Sequence, residues 1–123
     1  LADADGLIRQ PPGWIFIDTA PEWLGTIFSP DPSHGLSSTF NLLHAFALQR
    51  AAELEEWAGE PELAARCRRR AAQIVAGVSA ACWDAGKALM ADHPDRSAWS
   101  QHAQIIPIRK ARDRDGKSFA VAT

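Results

Sequence analysis

Histidines and neighbouring carboxylates are the first residues of this 123-residue chain whose types could do chemistry. His44, His93 and His102 are spread along the chain, and Asp92 and Asp95 lie beside His93. Two or three imidazoles with one carboxylate form a reasonable Zn²⁺ site, where the metal activates a water for ester or phosphoester hydrolysis. Neither HxxxH nor HExxH spacing occurs, so scattered histidines with no common ligand are the alternative.

A second possible chemistry involves Asp18 and Glu22, which lie four residues apart in a Pro-containing segment. Glycoside hydrolysis needs two carboxylates that flank the scissile bond, one as acid and one as base or nucleophile. The segment is too irregular to set the distance between the two carboxylates, so structural or solvated roles stay open. Trp14 and Trp23 are candidate sugar-stacking residues, with core packing as the alternative.

A long N-terminal loop and a set of helices must position these candidate residues. Residues 1–36 are rich in proline and glycine, yet too apolar for a disordered arm, so we expect a long ordered loop that packs on the rest of the chain. The apolar spacing then predicts helices over about 38–58, 61–82 and 98–106. Five residues should bound these helices: Ser38 and Ser97 as N-caps, Gly59 and Pro107 as stops, and Pro61 as a start.

The first two predicted helices are joined by only two residues, which indicates an antiparallel hairpin. The spacing predicts that the first helix buries one apolar stripe: Leu43, Phe46, Ala47, Ala51, Leu54, Trp57 and Ala58. On the second helix the predicted stripe is Leu63, Cys67, Ala71, Ile74, Val75, Val78 and Cys82. The basic run over 66–70 should pair with Glu53, Glu55 and Glu56 of the neighbouring helix.

These elements predict a mainly α fold: a helix hairpin plus a third helix with a long ordered N-terminal loop. Residues 1–108 form a single predicted helical domain. Residues 109–123 are charged and aperiodic, and we expect a basic, flexible tail there.

Several short motifs in this order resemble bacterial α-L-rhamnosidases, whose catalytic domain is an (α/α)6 toroid. The matching segments are Asp5-Gly6-Leu7, Trp14-Ile15-Phe16-Ile17-Asp18, Gly35-Leu36-Ser37-Ser38-Thr39-Phe40-Asn41 and Ser100-Gln101-His102-Ala103. The resemblance covers about residues 5–106 and implies that the chain is a partial (α/α) toroid fragment.

The resemblance also implies roles for individual residues. Trp14 and Asp18 would face the sugar pocket, although Thr19 stands where the family usually has a tryptophan. Asn41 and His102 match family positions with structural or supporting roles; we count Asn41 among the substrate-binding candidates and His102, with Asp18 and Glu22, among the catalytic ones. The family's acid and base motifs find no match, so the chain is expected not to be a competent glycosidase by itself. Whether it is an enzyme stays open. The alternative is a small free-standing zinc-dependent hydrolase of esters or phosphoesters, with a composite site whose histidines come from two subunits of an oligomer.

Composition limits the remaining possibilities. The net charge of −2 does not favour nucleic-acid binding, and no apolar run approaches the length of a membrane span, so we expect a soluble, cytoplasmic protein. Cys67 and Cys82 fall on apolar helical positions, which favours reduced, buried thiols. Because three helices leave apolar faces bare, we expect a homodimer in which the first helix meets its copy; a small-molecule or carbohydrate ligand is also possible.

Overall fold

The computed structural model describes residues 2–9 and 35–110 of the chain. The element order is α1 (Ser38–Trp57), α2 (Pro61–Cys82), β1 (Trp83–Asp84), β2 (Leu89–Met90) and α3 (Gln101–Lys110). The described part is therefore mainly α, as the sequence predicts. Most of the predicted loop over 1–36 and of the tail over 109–123 lies outside it. Within these described residues, no helix combines the length and apolar character needed to cross a membrane.

The ends of the helix hairpin follow from local chemistry. Ser37, not Ser38, caps α1: its hydroxyl accepts from the amide of Phe40 at 3.1 Å, and Ser38 is already helical and buried. The chain leaves α1 through Gly59, whose φ of +80° suits a residue without a side chain. Pro61 then begins α2 at a position where its missing N–H costs nothing. The predicted stop and restart are confirmed.

The face that α1 buries is not the predicted one. Its buried residues are Ser38, Thr39, Asn41, Leu42, Ala45 and Ala52, whereas Leu43, Leu54 and Trp57 are 42%, 61% and 75% exposed. Small side chains recur every seventh residue, at Ser38, Ala45 and Ala52 on α1 and at Ala64 and Ala71 on α2. Small residues let two helix axes approach closely, so this face packs inward and the larger apolar side chains stay outside.

The predicted face of α2 is closer to the observed one. Ala71, Ile74, Val78 and Cys82 are buried as expected, while Leu63 is 42% exposed and Cys67 is only half-buried. Both cysteines are free, as predicted. Burial raises the pKa of the Cys82 thiol to about 12, so this thiol is protonated at neutral pH and a weak nucleophile.

One predicted ion pair links the two helices. Arg68 lies 2.7 Å from the Glu56 carboxylate, which confirms in part that the basic run pairs with acidic residues of α1. Arg50 pairs with Glu53 within α1 at 2.9 Å. All four side chains are substantially exposed, so these pairs contribute little to stability.

After α2 the chain forms a short antiparallel hairpin, in which Trp83 pairs with Met90 and Asp84 with Leu89. The third helix then starts three residues later than predicted. Ser97 does not cap it; its hydroxyl donates to Asp95 at 2.8 Å instead. Neither does Pro107 end it, since α3 continues to Lys110 and includes the first two residues of the predicted tail.

The core gathers where α1, α2, β2 and α3 meet, around Leu42, Ile74, Val78 and Met90. The N-terminal segment reaches this core through Leu7, which is 2% exposed. A Cβ added at Gly77 would lie 3.2 Å from the Leu7 side chain, so glycine at this point of α2 makes room for Leu7.

Replacement of core residue Ile74 tests this packing. Ile74 is fully buried, so Ile74→Ala should lower the free energy of unfolding by about 2–5 kcal/mol, through lost transfer energy and a residual cavity. Leu43→Ala, on the exposed face of α1, should change it by no more than about 0.5 kcal/mol. Urea unfolding of the two variants measures both values, and equal losses would contradict the assignment of the α1 face.

Candidate functional site

The described residues most relevant to function are those on either side of residues 10–34, the segment that holds Trp14, Asp18, Glu22 and Trp23. We call the two sets of contacts the N-side anchor (residues 2–9 with Asn41 and Gln73) and the C-side anchor (residues 35–38 with Asp92 and His93). Each anchor attaches one end of the segment to the helices. The four predicted site residues within the segment lie outside the described residues, as does His34.

Asn41 is the centre of the N-side anchor. Its Oδ1 accepts from the amide of Ile8 at 2.8 Å, and its Nδ2 donates to the carbonyl of Ile8 at 2.8 Å and of Ser37 at 3.0 Å. Asn41 is fully buried. One side-chain amide thus satisfies both backbone polar groups of Ile8, as a neighbouring strand would. The sequence identifies Asn41 as a candidate, and the structure gives it this anchoring contact.

A local turn prepares the N-terminal segment for this contact. The Asp3 amide donates to the Leu7 carbonyl at 2.9 Å, and Asp5 Oδ1 accepts from the Leu7 amide at 3.0 Å. Arg9 forms ion pairs with Asp3 and Asp5. The Arg9 guanidinium and the Leu7 amide lower the pKa of Asp5 to about 2, so Asp5 stays charged above moderately acidic pH. Gln73 of α2 donates to the Asp5 carbonyl at 3.3 Å.

The C-side anchor is built on Leu36 and Ser38. His93 Nδ1 lies 3.0 Å from the carbonyl oxygen of Leu36; because a carbonyl only accepts, Nδ1 carries the proton. The amide of Ser38 donates to the carbonyl of Asp92 at 2.9 Å. His93 and Asp92 are both buried. The structure thus brings two predicted residues, His93 and Asn41, to adjacent backbone positions, since they bind the carbonyls of Leu36 and Ser37.

A buried carboxylate–hydroxyl contact supports the C-side anchor. Asp92 Oδ1 accepts from the Ser100 hydroxyl at 2.6 Å, and its Oδ2 accepts from the Ser100 amide at 3.0 Å. The Asp92 amide donates to the Ala98 carbonyl at 2.8 Å. The chain on both sides of His93 is therefore tied to the start of α3. This arrangement fixes the backbone that positions the His93 ring.

Gln104 repeats the Asn41 arrangement at the other side of the core. Its Oε1 accepts from the amide of Met90 at 3.0 Å, and its Nε2 donates to the carbonyl of the same residue at 2.6 Å. Sequence reasoning missed Gln104 and Gln73 as members of the site, and it considered Asp92 only as a carboxylate beside His93 and Ser100 only as part of a motif. The signal available for Asn41 and Gln104 was an amide side chain within an otherwise apolar helical pattern.

The candidate metal ligands have separate environments. His93 is engaged in the C-side anchor, while His44 on α1 and His102 on α3 are half-buried. Across residues 2–9 and 35–110, no three His, Cys, Asp or Glu side chains form a group that could hold a metal ion. The zinc-dependent hydrolase stays a prediction, which also involves a second subunit.

Replacement of Asn41 tests the N-side anchor. Asn41→Ala leaves the amide and carbonyl of Ile8 without their side-chain partner, which should cost about 1–3 kcal/mol of unfolding free energy. Hydrogen exchange at the Ile8 amide should accelerate. Gln73→Ala is the matched control, because it removes a longer and exposed contact with the same segment. A larger effect from the Gln73 variant would contradict the role given to Asn41.

The environment of His44 predicts a pH dependence of stability. Burial, with a smaller contribution from the charge of Arg70, lowers the pKa of His44 below its ordinary 6.5. The unfolded chain therefore binds a proton before the folded chain does, so stability is full above about pH 6.5 and falls as pH drops towards the folded-state pKa. His44→Gln should reduce the decrease of the melting temperature between pH 7 and pH 5. Gln49→Ala on the same helix should keep the wild-type slope; equal slopes in all three proteins would contradict this origin.

Comparison with known proteins adds no family assignment. Neither the protein-family models, the curated proteins nor the solved structures contain a match to this chain. The resemblance to α-L-rhamnosidases thus stays a prediction from short sequence motifs. The functional argument depends on the contacts of the described residues.

Proposed function

We propose that this chain is a helical portion of an α-L-rhamnosidase-like (α/α)6 toroid that presents a sugar-binding segment and does not by itself hydrolyse glycosides. In this proposal residues 10–34 supply the sugar contacts, through Trp14, Trp23 and the Asp18 and Glu22 carboxylates. The helices supply the frame. The proposal concerns binding and positioning, because the family's acid and base motifs find no match in the 123 residues.

The observation that carries this proposal is the pair of anchors. Ile8, two residues before the segment, is bound through both of its backbone groups by buried Asn41. Leu36, two residues after it, is bound by buried His93. A recognition segment held at both ends by a rigid scaffold loses less conformational entropy on binding than a free one.

The residues that carry the family resemblance support the proposal independently. Asp5 and Leu7, Asn41, and Ser100 come from three different motifs along the chain, yet each takes part in a contact that holds an anchor or its support. A chance collection of short motifs gives no reason for this convergence. If the chain shares the family's fold, a reason exists: the motif residues satisfy backbone polar groups that lie outside helices and sheets.

Buried hydroxyls at the start of α1 also suit a polar ligand. Ser38 Oγ and Thr39 Oγ1 are buried and have no hydrogen-bond partner in the described part of the chain. Ser38 is the last residue of the C-side anchor, and Thr39 directly follows it. Buried polar groups are normally satisfied, and sugar hydroxyls both donate and accept hydrogen bonds.

The carboxylates of the anchors are already engaged, which fits a role other than acid–base catalysis. Asp5 is held by Arg9 and by the Leu7 amide, and Asp92 accepts two hydrogen bonds from Ser100. Glycoside hydrolysis needs a protonated acid and a charged partner on opposite sides of the glycosidic bond. Neither anchored carboxylate is arranged for that work.

Binding and turnover can be measured on the same sample. L-rhamnose should bind the full chain with saturable chemical-shift changes, and an aryl α-L-rhamnoside should bind without release of the aryl group. Trp14→Ala should weaken binding at least about tenfold, which is the loss expected when a stacking contact worth roughly 1.4 kcal/mol is removed.

Trp57→Ala is the matched control for this experiment, because Trp57 is the most exposed described tryptophan and lies at the far end of α1. It should leave sugar binding unchanged. Turnover abolished by Asp18→Asn or Glu22→Gln would overturn the non-catalytic part of the proposal. Failure of wild-type protein to bind any rhamnoside would overturn the binding part.

A further inference from the structure

One exposed face of α2 carries charges of both signs in a fixed order. Glu62, Arg66 and Arg69 lie at helical positions i, i+4 and i+7, so they follow one line along the helix, with Leu63 at its edge. Leu63 is 42% exposed, and the three charged residues are exposed. The acidic end of this line lies at the start of α2, where the hairpin turns.

These charges have no partners of their own. Glu62, Arg66 and Arg69 make no ion pair within residues 2–9 and 35–110, whereas Arg68 of the same basic run pairs with Glu56. Along α1, Arg50 and Glu53 are also paired. Glu55 and Arg70 also make no ion pair among these residues, and both line a groove together with Arg66 and Arg69, so this side of the hairpin is rich in unpaired charge.

The face has the shape of a ridge between two grooves. A groove of about 510 Å³ on one side is lined by Leu48, Glu55, Leu63, Arg66, Cys67, Arg69, Arg70 and Gln73. A groove of about 420 Å³ on the other is lined by Glu62, Leu63, Ala65, Arg66 and Arg69. Leu63, Arg66 and Arg69 line both grooves, so they form the ridge that separates them.

We propose that this face binds a second copy of the same chain, in an antiparallel two-fold dimer through α2. With the two-fold axis level with residue 64, Glu62 of each copy faces the partner subunit's Arg66. Each pair occurs twice, as an isologous interface requires. Glu62 and Arg66 are about 6 Å apart along the helix axis. An axis between residues 65 and 66 would instead pair Glu62 with the partner subunit's Arg69, but it would also bring the two Arg66 side chains together, and like charges repel.

The ridge and grooves give the same arrangement a steric basis. Helices pack when the ridge of one enters the groove of the other, and here each copy offers both. Apolar side chains add area to this face: Leu63 on α2 is 42% exposed, and Leu48 of α1 lines the larger groove. Their coverage supplies the apolar part of the interface.

This dimer differs from the one that the sequence predicts, in which α1 meets its copy. The α1 stripe of Leu43, Leu54 and Trp57 is indeed exposed, but apolar side chains alone do not specify an orientation. The α2 face does specify an orientation of the two copies. An acidic residue followed by two basic residues is complementary to itself when the second copy runs in the opposite direction.

A charge-reversal experiment on the full chain tests the pairing. Wild-type protein should be dimeric at about 100 µM by analytical ultracentrifugation. Glu62→Arg and Arg66→Glu should each raise the dissociation constant at least about tenfold, because each creates two like-charge contacts across the axis. An equimolar mixture of the two variants should form a heterodimer, since each variant then offers the charge that the other lacks.

Lys87→Glu is the matched control, because Lys87 is exposed and lies in the turn between β1 and β2, beyond the opposite end of α2. It should dimerise like wild type. Circular dichroism confirms that each variant keeps its helices. A wild-type protein that is monomeric at 100 µM would overturn the proposal; so would single variants that stay dimeric, or a mixture of folded variants that fails to associate.

Discussion

The close packing of α1 on α2 through small side chains is the constraint on which the rest of the structure depends. Ala45 and Ala52 on one helix, with Ala64 and Ala71 on the other, are all nearly or fully buried. Small residues gain little from burial by themselves, but they let many atoms of the two helices come into contact. Once this face is buried, Leu43, Leu54 and Trp57 of α1 must point elsewhere, and that decides which surfaces remain for partners.

Around this hairpin the non-helical parts of the chain pose a different problem, because their backbone polar groups are buried without a ladder of hydrogen bonds. Asn41 and Gln104 solve it in the same way: each side-chain amide binds both backbone groups of a single residue, Ile8 and Met90. A carboxylate could not, since it only accepts hydrogen bonds, and a hydroxyl must donate and accept through the same oxygen atom. These two residues therefore connect the helical frame to the segments that carry the candidate site.

The sequence predicts the elements of this fold better than their faces. Gly59 and Pro61 mark the hairpin correctly because backbone chemistry acts locally at those positions. The prediction of the buried α1 face is wrong because periodicity ranks large apolar residues first. Close contact with a second helix instead buries the small residues Ala45 and Ala52. Ser97 and Ser100 look alike as caps in the sequence; only the Asp92 carboxylate, eight residues before Ser100, distinguishes them. Long-range contacts of this kind leave no periodic signal.

The proposed dimer face of α2 and the N-side anchor are neighbours. Both anchors act at the start of α1, where Asn41, Ser37 and Leu36 meet His93, but the N-side anchor also reaches α2 through Gln73. Gln73 lies four residues beyond Arg69, about 6 Å along the helix axis, and it lines the same groove as Arg66 and Arg69. That separation is shorter than the Debye length at physiological salt, so the charges of α2 are not screened from residues 2–9. Self-association through α2 and ligand binding near the N-side anchor are therefore physically coupled, since one groove borders both.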